Sequence, residues 1–285
     1  MSQVALVTGA ARRIGREIAL ALARAGWDVA VHYGQSHTEA LATVQDIQAL
    51  GQRAVALRCD LAQEAEVRAL LPQCAAALGP VRCVVNNASL FEYDEATSFS
   101  PAVLARQISV NTTAPLLLAQ ALHADTPEGE HSVVINLLDQ KLWNLNPDFF
   151  SYTLSKSALK EATHLLALAL APRVRVVGVA PGITLPSGNQ SEAGFERAHQ
   201  HTPLGASSTP QDVAQAVVYL ARAGRDRHHL ARRWRPTPVA QRTRCDVSDL
   251  MTWLHDLASR SPLTTLPPHL FAGGGDERQH RHSRV

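Results

Sequence analysis

The stretch Val4-Ala5-Leu6-Val7-Thr8-Gly9-Ala10-Ala11-Arg12-Arg13-Ile14-Gly15 decides how the rest of the chain is read. A short apolar run ends in a glycine turn, and the turn leads into REIALALARAG (16–26), a segment of helical length. Glycines between a strand and a helix let backbone N–H groups at the positive helix N-terminus approach a pyrophosphate closely. An ordinary strand-to-helix turn has the same outline, so this segment alone is a weak signal.

Outward from it the alternation continues. DVAVHYG (28–34) precedes HTEALATVQDIQALG (37–51), AVALRCDL (54–61) precedes EAEVRALLPQCAAAL (64–78), and VRCVVNNAS (81–89) follows. SVNTTAPLLLAQAL (109–122) then precedes SVVINLLD (132–139), and a helix from Ser151 to near Leu170 precedes VRVVGVAPG (174–182). Strands apolar on both faces and joined by helical crossovers predict the α/β class: a Rossmann-like doubly wound parallel sheet with helices on both faces. After Pro181-Gly182 comes a loop to near Gly205, then PQDVAQAVVYLARAG (210–224), apolar at helical spacing.

With 285 residues, 46% hydrophobic and 18% charged, the chain has enough apolar material for a sizeable core. The start lacks a basic n-region followed by an apolar h-region, and no later apolar run reaches the roughly 18 residues of a membrane span. A cytoplasmic location without a membrane partner is expected. Cys59, Cys74, Cys83 and Cys245 show no C-x-x-C pairing, which argues against a metal site or disulfide framework and for buried reduced thiols.

The second strand ends His32-Tyr33-Gly34-Gln35-Ser36. A dinucleotide fold that prefers NAD usually carries an acid there for the ribose 2′-hydroxyl. With no acid present, and with Arg12 and Arg13 in the turn available to a 2′-phosphate, NADPH is the expected cofactor. Asp60, after the third strand, suits the adenine amino group as an acceptor and equally suits a helix N-cap.

Thr8-Gly9 to Gly15, Asn86-Asn87-Ala88, Asn111, Tyr152-Thr153-Leu154-Ser155-Lys156 and Pro181-Gly182 together resemble, in order and spacing, the short-chain dehydrogenase/reductase family over about residues 4–222. Within that family the chain looks most like the pteridine and dihydromonapterin reductases. Arg13 replaces the usual middle glycine, Asn86-Asn87-Ala88 continues as Ser89-Leu90-Phe91, and Asp139 stands where most members have a serine. The resemblance implies a cofactor lying along Gly9, Arg12, Arg13, Ile14 and Gly15, then His32, Tyr33 and Ser36, then Asp60 and Leu61. It continues past Asn87, Ala88 and Ser89 to Tyr152, Lys156, Pro181 and Gly182, with Thr184 also near phosphate. His32, although on that path, reads more readily as a strand-end packing residue than as a ligand. Phe91 is implied to stack on a pterin ring, Lys156 to bind the nicotinamide ribose, and Asn111 to steady a linked water.

Tyr152 and Lys156 are four apart on one helix, so they share a face. A nearby ammonium is expected to lower the tyrosine pKa and make the phenol a usable proton donor. Asp139 ends its strand at the carboxyl edge of the sheet, where ligands bind in such folds. A carboxylate there suits a substrate with N–H donors that needs a proton, and a dihydropterin has both features. The catalytic set is therefore Asp139, Tyr152, Lys156 and Asn111, with Phe91, Asp139 and Tyr152 toward substrate. Trp143 and Phe149-Phe150 read as either core or pocket wall.

Residues 221–285 carry 12 arginines against 6 acidic residues. The strand that family members normally add last is not visible there, and 223–285 read as a basic, low-order tail. Shifting the reading frame by one nucleotide over the codons for 224–246 permits A-A-I-[A/G]-T-T-x-x-V-D-G-G-Q, the expected family ending, which points to a frameshift near Gly224. The leading reading is NADPH-dependent reduction of a pterin. A reductase of another carbonyl or imine, or a catalytically dead nucleotide-binding protein, are the alternatives. Nucleic-acid binding is disfavoured because the tail has few aromatics for base stacking. The family implies a homotetramer if the last strand is intact.

Overall fold

The structure, a computed structural model, describes residues 3–186 and 207–222, all within one compact unit that spans Met1–Arg233. The proposed tail and shifted frame fall outside the described residues.

Six strands form one sheet: β1 (Gln3–Val7), β2 (Trp27–Tyr33), β3 (Ala54–Arg58), β4 (Val81–Asn86), β5 (Ser132–Leu137) and β6 (Val174–Val179). Their order is β3-β2-β1-β4-β5-β6, and every pairing is parallel. The order reverses between β1 and β4, which opens a crevice at their carboxyl ends. Among the described residues β6 is an edge strand.

Period-two alternation along the strands feeds two separate cores. In β1, Ala5 and Val7 join a core with Ile18, Leu22 and Val217. Val4 and Leu6 face the other way and pack with Leu70, Leu71 and Leu118. Helices α1 (Arg13–Arg24), α2 (His37–Ala49) and α7 (Pro210–Arg222) thus cover one face. The other is covered by α3 (Glu64–Leu78), α5 (Ala114–Asp125) and α6 (Phe150–Ala169). Leu6 has no exposed surface, and its truncation to alanine should cost about 2–5 kcal/mol.

The segment before α5 is more structured than its sequence suggested. Helix α4 (Pro101–Ile108) runs through a π-helical turn, Ser109–Thr113, into α5. Such wide turns mark functional sites often enough to be informative, and Asn111 sits in this one. No helix among the described residues is long and apolar enough to cross a membrane. Cys59, Cys74 and Cys83 are buried free thiols, each pushed up to about 12 chiefly by burial.

Candidate active site

The glycine turn joins the ends of β1, β2 and β4. Thr8 Oγ1 accepts the backbone N–H groups of Asn87 (2.9 Å) and Ala88 (3.0 Å), and Asn87 Nδ2 donates to the Thr8 carbonyl at 2.9 Å. Gly15 has to be glycine: a β-carbon there would lie 2.1 Å from the Gly9 oxygen and 2.5 Å from Asn87 Nδ2. Gly9 has φ +64°, in the left-handed region that favours glycine. Arg13 shares that conformation, with φ 54°, although it has a side chain. No side chain caps the first N–H groups of α1, so this end of the helix suits an anion.

Three adjoining cavities follow the turn. One of about 350 Å³ is lined by Gly9, Arg12, Arg13, Ile14, Gly15, Tyr33, Ser36, Asn87, Ala88 and Ser89. A second, of about 470 Å³, reaches Asp60 and Leu61 past Gly34, Ser36 and Arg58. The third, of about 620 Å³, holds Arg13, Phe91, Asp139, Tyr152, Lys156, Pro181, Gly182 and Thr184. The residues expected along a dinucleotide are thus brought to one crevice, with Arg13 at both its catalytic and its phosphate sections. The Arg13 guanidinium donates to the Pro186 carbonyl at 2.7 Å.

His32 takes the packing place at the end of β2. Its imidazole is buried with both nitrogens engaged: Nδ1 accepts the Gly9 N–H at 3.0 Å, and Nε2 lies 3.0 Å from the Cys59 carbonyl. An accepting Nδ1 leaves the proton on Nε2 for donation to Cys59. Both nitrogens thus tie the glycine turn to the end of β3, while His32 still lines the second cavity. Burial lowers the imidazole from 6.5 to about 4, with the Cys59 bond acting in the opposite sense. Asp60 Oδ1 accepts the Ala62 N–H at 2.9 Å, as a turn-forming carboxylate does.

At the catalytic end the Tyr152 hydroxyl donates to Asp139 Oδ2 at 2.7 Å. Asp139 Oδ1 accepts the Lys141 N–H at 2.8 Å, which caps the short 3₁₀ turn Gln140–Trp143 and fixes the carboxylate. Lys156 Nζ donates to the Leu137 carbonyl at 2.7 Å and stands 6.0 Å from the Tyr152 ring centroid. The expected lowering of the tyrosine is overturned. Its phenol is pushed above the ordinary value by burial first and then by the charge and hydrogen bond of Asp139. The carboxylate touches the hydroxyl, whereas the ammonium is held elsewhere. Burial brings Lys156 down to about 8, against an upward pull from Asp139.

Asn111 Nδ2 donates to the Leu90 carbonyl (3.0 Å) and Ser155 Oγ (2.9 Å), while its Oδ1 accepts the Leu90 N–H at 2.8 Å. It therefore links the segment after β4 to α6 beside Lys156. Phe91 stacks on Phe149 with ring centroids 4.0 Å apart and meets Tyr152 edge-on at 4.6 Å. Phe149, with φ 55°, therefore belongs beside the cleft. Trp143 is 61% exposed under Lys160, and Phe150 packs on Phe99. Sequence reasoning passed over Arg58. It is the last residue of β3, pairs in register with Tyr33 and lines the second cavity, a place that only the sheet register reveals.

A parallel sheet with a glycine turn at its switch point and a buried Tyr-x-x-x-Lys pair defines a dinucleotide-dependent oxidoreductase. The short chain dehydrogenase family model matches residues 3–196, and the chain belongs to that family. Among solved structures it resembles FolM alternative dihydrofolate reductase 1 from Brucella canis, complexed with NADP. The two share 42% identity with a TM-score of 0.73, over 76% of this chain and 86% of that one. An uncharacterized oxidoreductase of Methylorubrum extorquens is 35% identical, over 77% of this chain and 90% of its own length. The 7alpha-hydroxysteroid dehydrogenase of Escherichia coli is 32% identical, over 76% of this chain and 86% of its own.

Proposed function

We propose that this protein is an NADPH-dependent reductase of a dihydropterin. The observation that carries the reading is the Asp139–Tyr152 hydrogen bond of 2.7 Å at the mouth of a cleft that also holds the Phe91 ring. A carboxylate at this position recognises N–H donors, which a pterin's amino-pyrimidinone edge presents and a simple ketone lacks. The 42% identity to an alternative dihydrofolate reductase supports the same substrate class.

The residues fit the cofactor: the uncapped start of α1 and the glycine turn suit the pyrophosphate, and the end of β2 has no acid to oppose a 2′-phosphate. When bound, NADPH supplies the hydride. Lys156, anchored on the Leu137 carbonyl, places a cation at the floor of the cleft. Tyr152 keeps its proton because burial and Asp139 oppose its ionisation. It then delivers that proton to the ring nitrogen next to the carbon being reduced, and solvent returns a proton to the phenolate once the product has left.

The test is NADPH oxidation by the purified chain with dihydrobiopterin, dihydromonapterin or dihydrofolate, alongside Tyr152→Phe. Turnover lost in the variant is expected; turnover of ketones alone would transfer the protein to the second reading, a carbonyl reductase. That alternative has the hydroxysteroid dehydrogenase likeness behind it. Self-association is also part of the proposal, supported by Leu154, Leu165 and Leu168 exposed along α6. Sedimentation as a monomer would remove it.

A further inference from the structure

We infer that Arg58, acting with Arg12, holds the ribose 2′-phosphate of the cofactor; the inference rests on the NADPH reading above. Arg58 closes β3 and is the register partner of Tyr33, which closes β2. Its guanidinium is therefore carried beside the strand end where an NAD-preferring fold places a carboxylate. Arg12 precedes α1 and lines the same 470 Å³ cavity as Arg58, together with Gln35 and Ser36.

Both arginines are held only loosely. Arg12 lies 3.7 Å from Glu39 and Arg58 lies 4.0 Å from Glu66, with side chains 63% and 65% exposed. These separations exceed a hydrogen bond, and exposed pairs of this kind are worth little. A phosphate dianion, which accepts paired N–H groups from each guanidinium, displaces them readily. The neighbouring arginines are committed: Arg13 to the Pro186 carbonyl, and Arg53 to Asp28 through Nε and Nη2. Arg106 on α4 lines the cavity too, 3.8 Å from Glu92. The sole carboxylate in the lining, Asp60, is turned to the Ala62 N–H. The cavity is therefore cationic where the 2′-phosphate falls.

The experiment is a fluorescence titration of the full chain with NADPH and NADH, repeated with adenosine 2′,5′-bisphosphate and AMP as competitors. Arg58→Ala should raise the Kd of NADPH and of the bisphosphate about tenfold, the worth of one lost charge-assisted contact. NADH and AMP should stay within about twofold, because neither carries the 2′-phosphate. A structural role for Arg58 would instead weaken all four ligands alike, and that result overturns the assignment. So does an unchanged NADPH affinity, or a loss of selectivity in Arg106→Ala that Arg58→Ala does not show. Wild-type protein that binds NADH as tightly as NADPH would remove the cofactor reading itself, and the assignment with it.

Discussion

The hydroxyl of Tyr152 is hydrogen-bonded to the carboxylate of Asp139, and the ammonium of Lys156 is bonded elsewhere, to the Leu137 carbonyl. The catalytic phenol is thereby coupled to an anion, which keeps it protonated, and its proton has a carboxyl group behind it. Exchange of that carboxyl is the sharpest probe of the site. Asp139→Ser should lower kcat for a dihydropterin by about a hundredfold, the scale of an impaired general acid, because Tyr152 loses the partner that positions its proton. Intact pterin turnover in that variant would show that Asp139 only caps the Gln140–Trp143 turn.

The alkaline side of the pH profile should report Lys156. The amine is charged below about 8 and loses its charge above it, so kcat/KM is expected to decline through that pH. Lys156→Arg, which stays charged at every accessible pH, should lower the rate but abolish the decline. The stability contribution runs the other way. Between pH 8 and 10.5 the unfolded lysine binds more protons than the folded one, so stability from this group rises with pH. An alkaline limb retained in Lys156→Arg would place it on another group.

His32 predicts acid sensitivity of the fold. Its folded value of about 4 lies below the ordinary 6.5, so the unfolded state binds more protons within that window. Stability from this residue is complete above pH 6.5 and should fall by about 3 kcal/mol as pH drops toward 4. Urea titrations at neutral pH and near pH 4.5 should show that much less acid loss in His32→Gln; equal losses in both proteins would mean that the imidazole charges without cost.

Gly15→Ala forces a methyl group into the 2.1 Å gap to the Gly9 carbonyl. The contact is with backbone, so the turn has to open. About 1–3 kcal/mol of destabilisation is expected, together with weaker NADPH binding. Thermal unfolding and dinucleotide titration of the variant check both, and an unchanged melting temperature would contradict the packing described.

The order of strands and helices was legible because both-face burial writes continuous apolar runs at 4–7, 29–31 and 83–85. The residues that converge on the crevice were legible too, because Gly9, Gly15, Asn87, Tyr152 and Lys156 keep fixed spacing. What the sequence hid was set by packing across it. Arg58 reaches the crevice only because β3 pairs with β2 in a particular register. The engagement of both His32 nitrogens depends on bonds to residues 23 and 27 positions away. The sign of the Tyr152 shift follows from which charged neighbour touches the hydroxyl, which spacing along α6 does not determine.

The left-handed backbone of Arg13 has its own consequence. Glycine would adopt φ 54° comfortably, while an arginine there strains the turn by about 1 kcal/mol or more. Arg13→Gly should therefore yield a hardier but duller protein, relaxed at the turn and stripped of the guanidinium that spans the phosphate and catalytic sections. Resilience at one peptide is thus exchanged for a cation that lines both compartments.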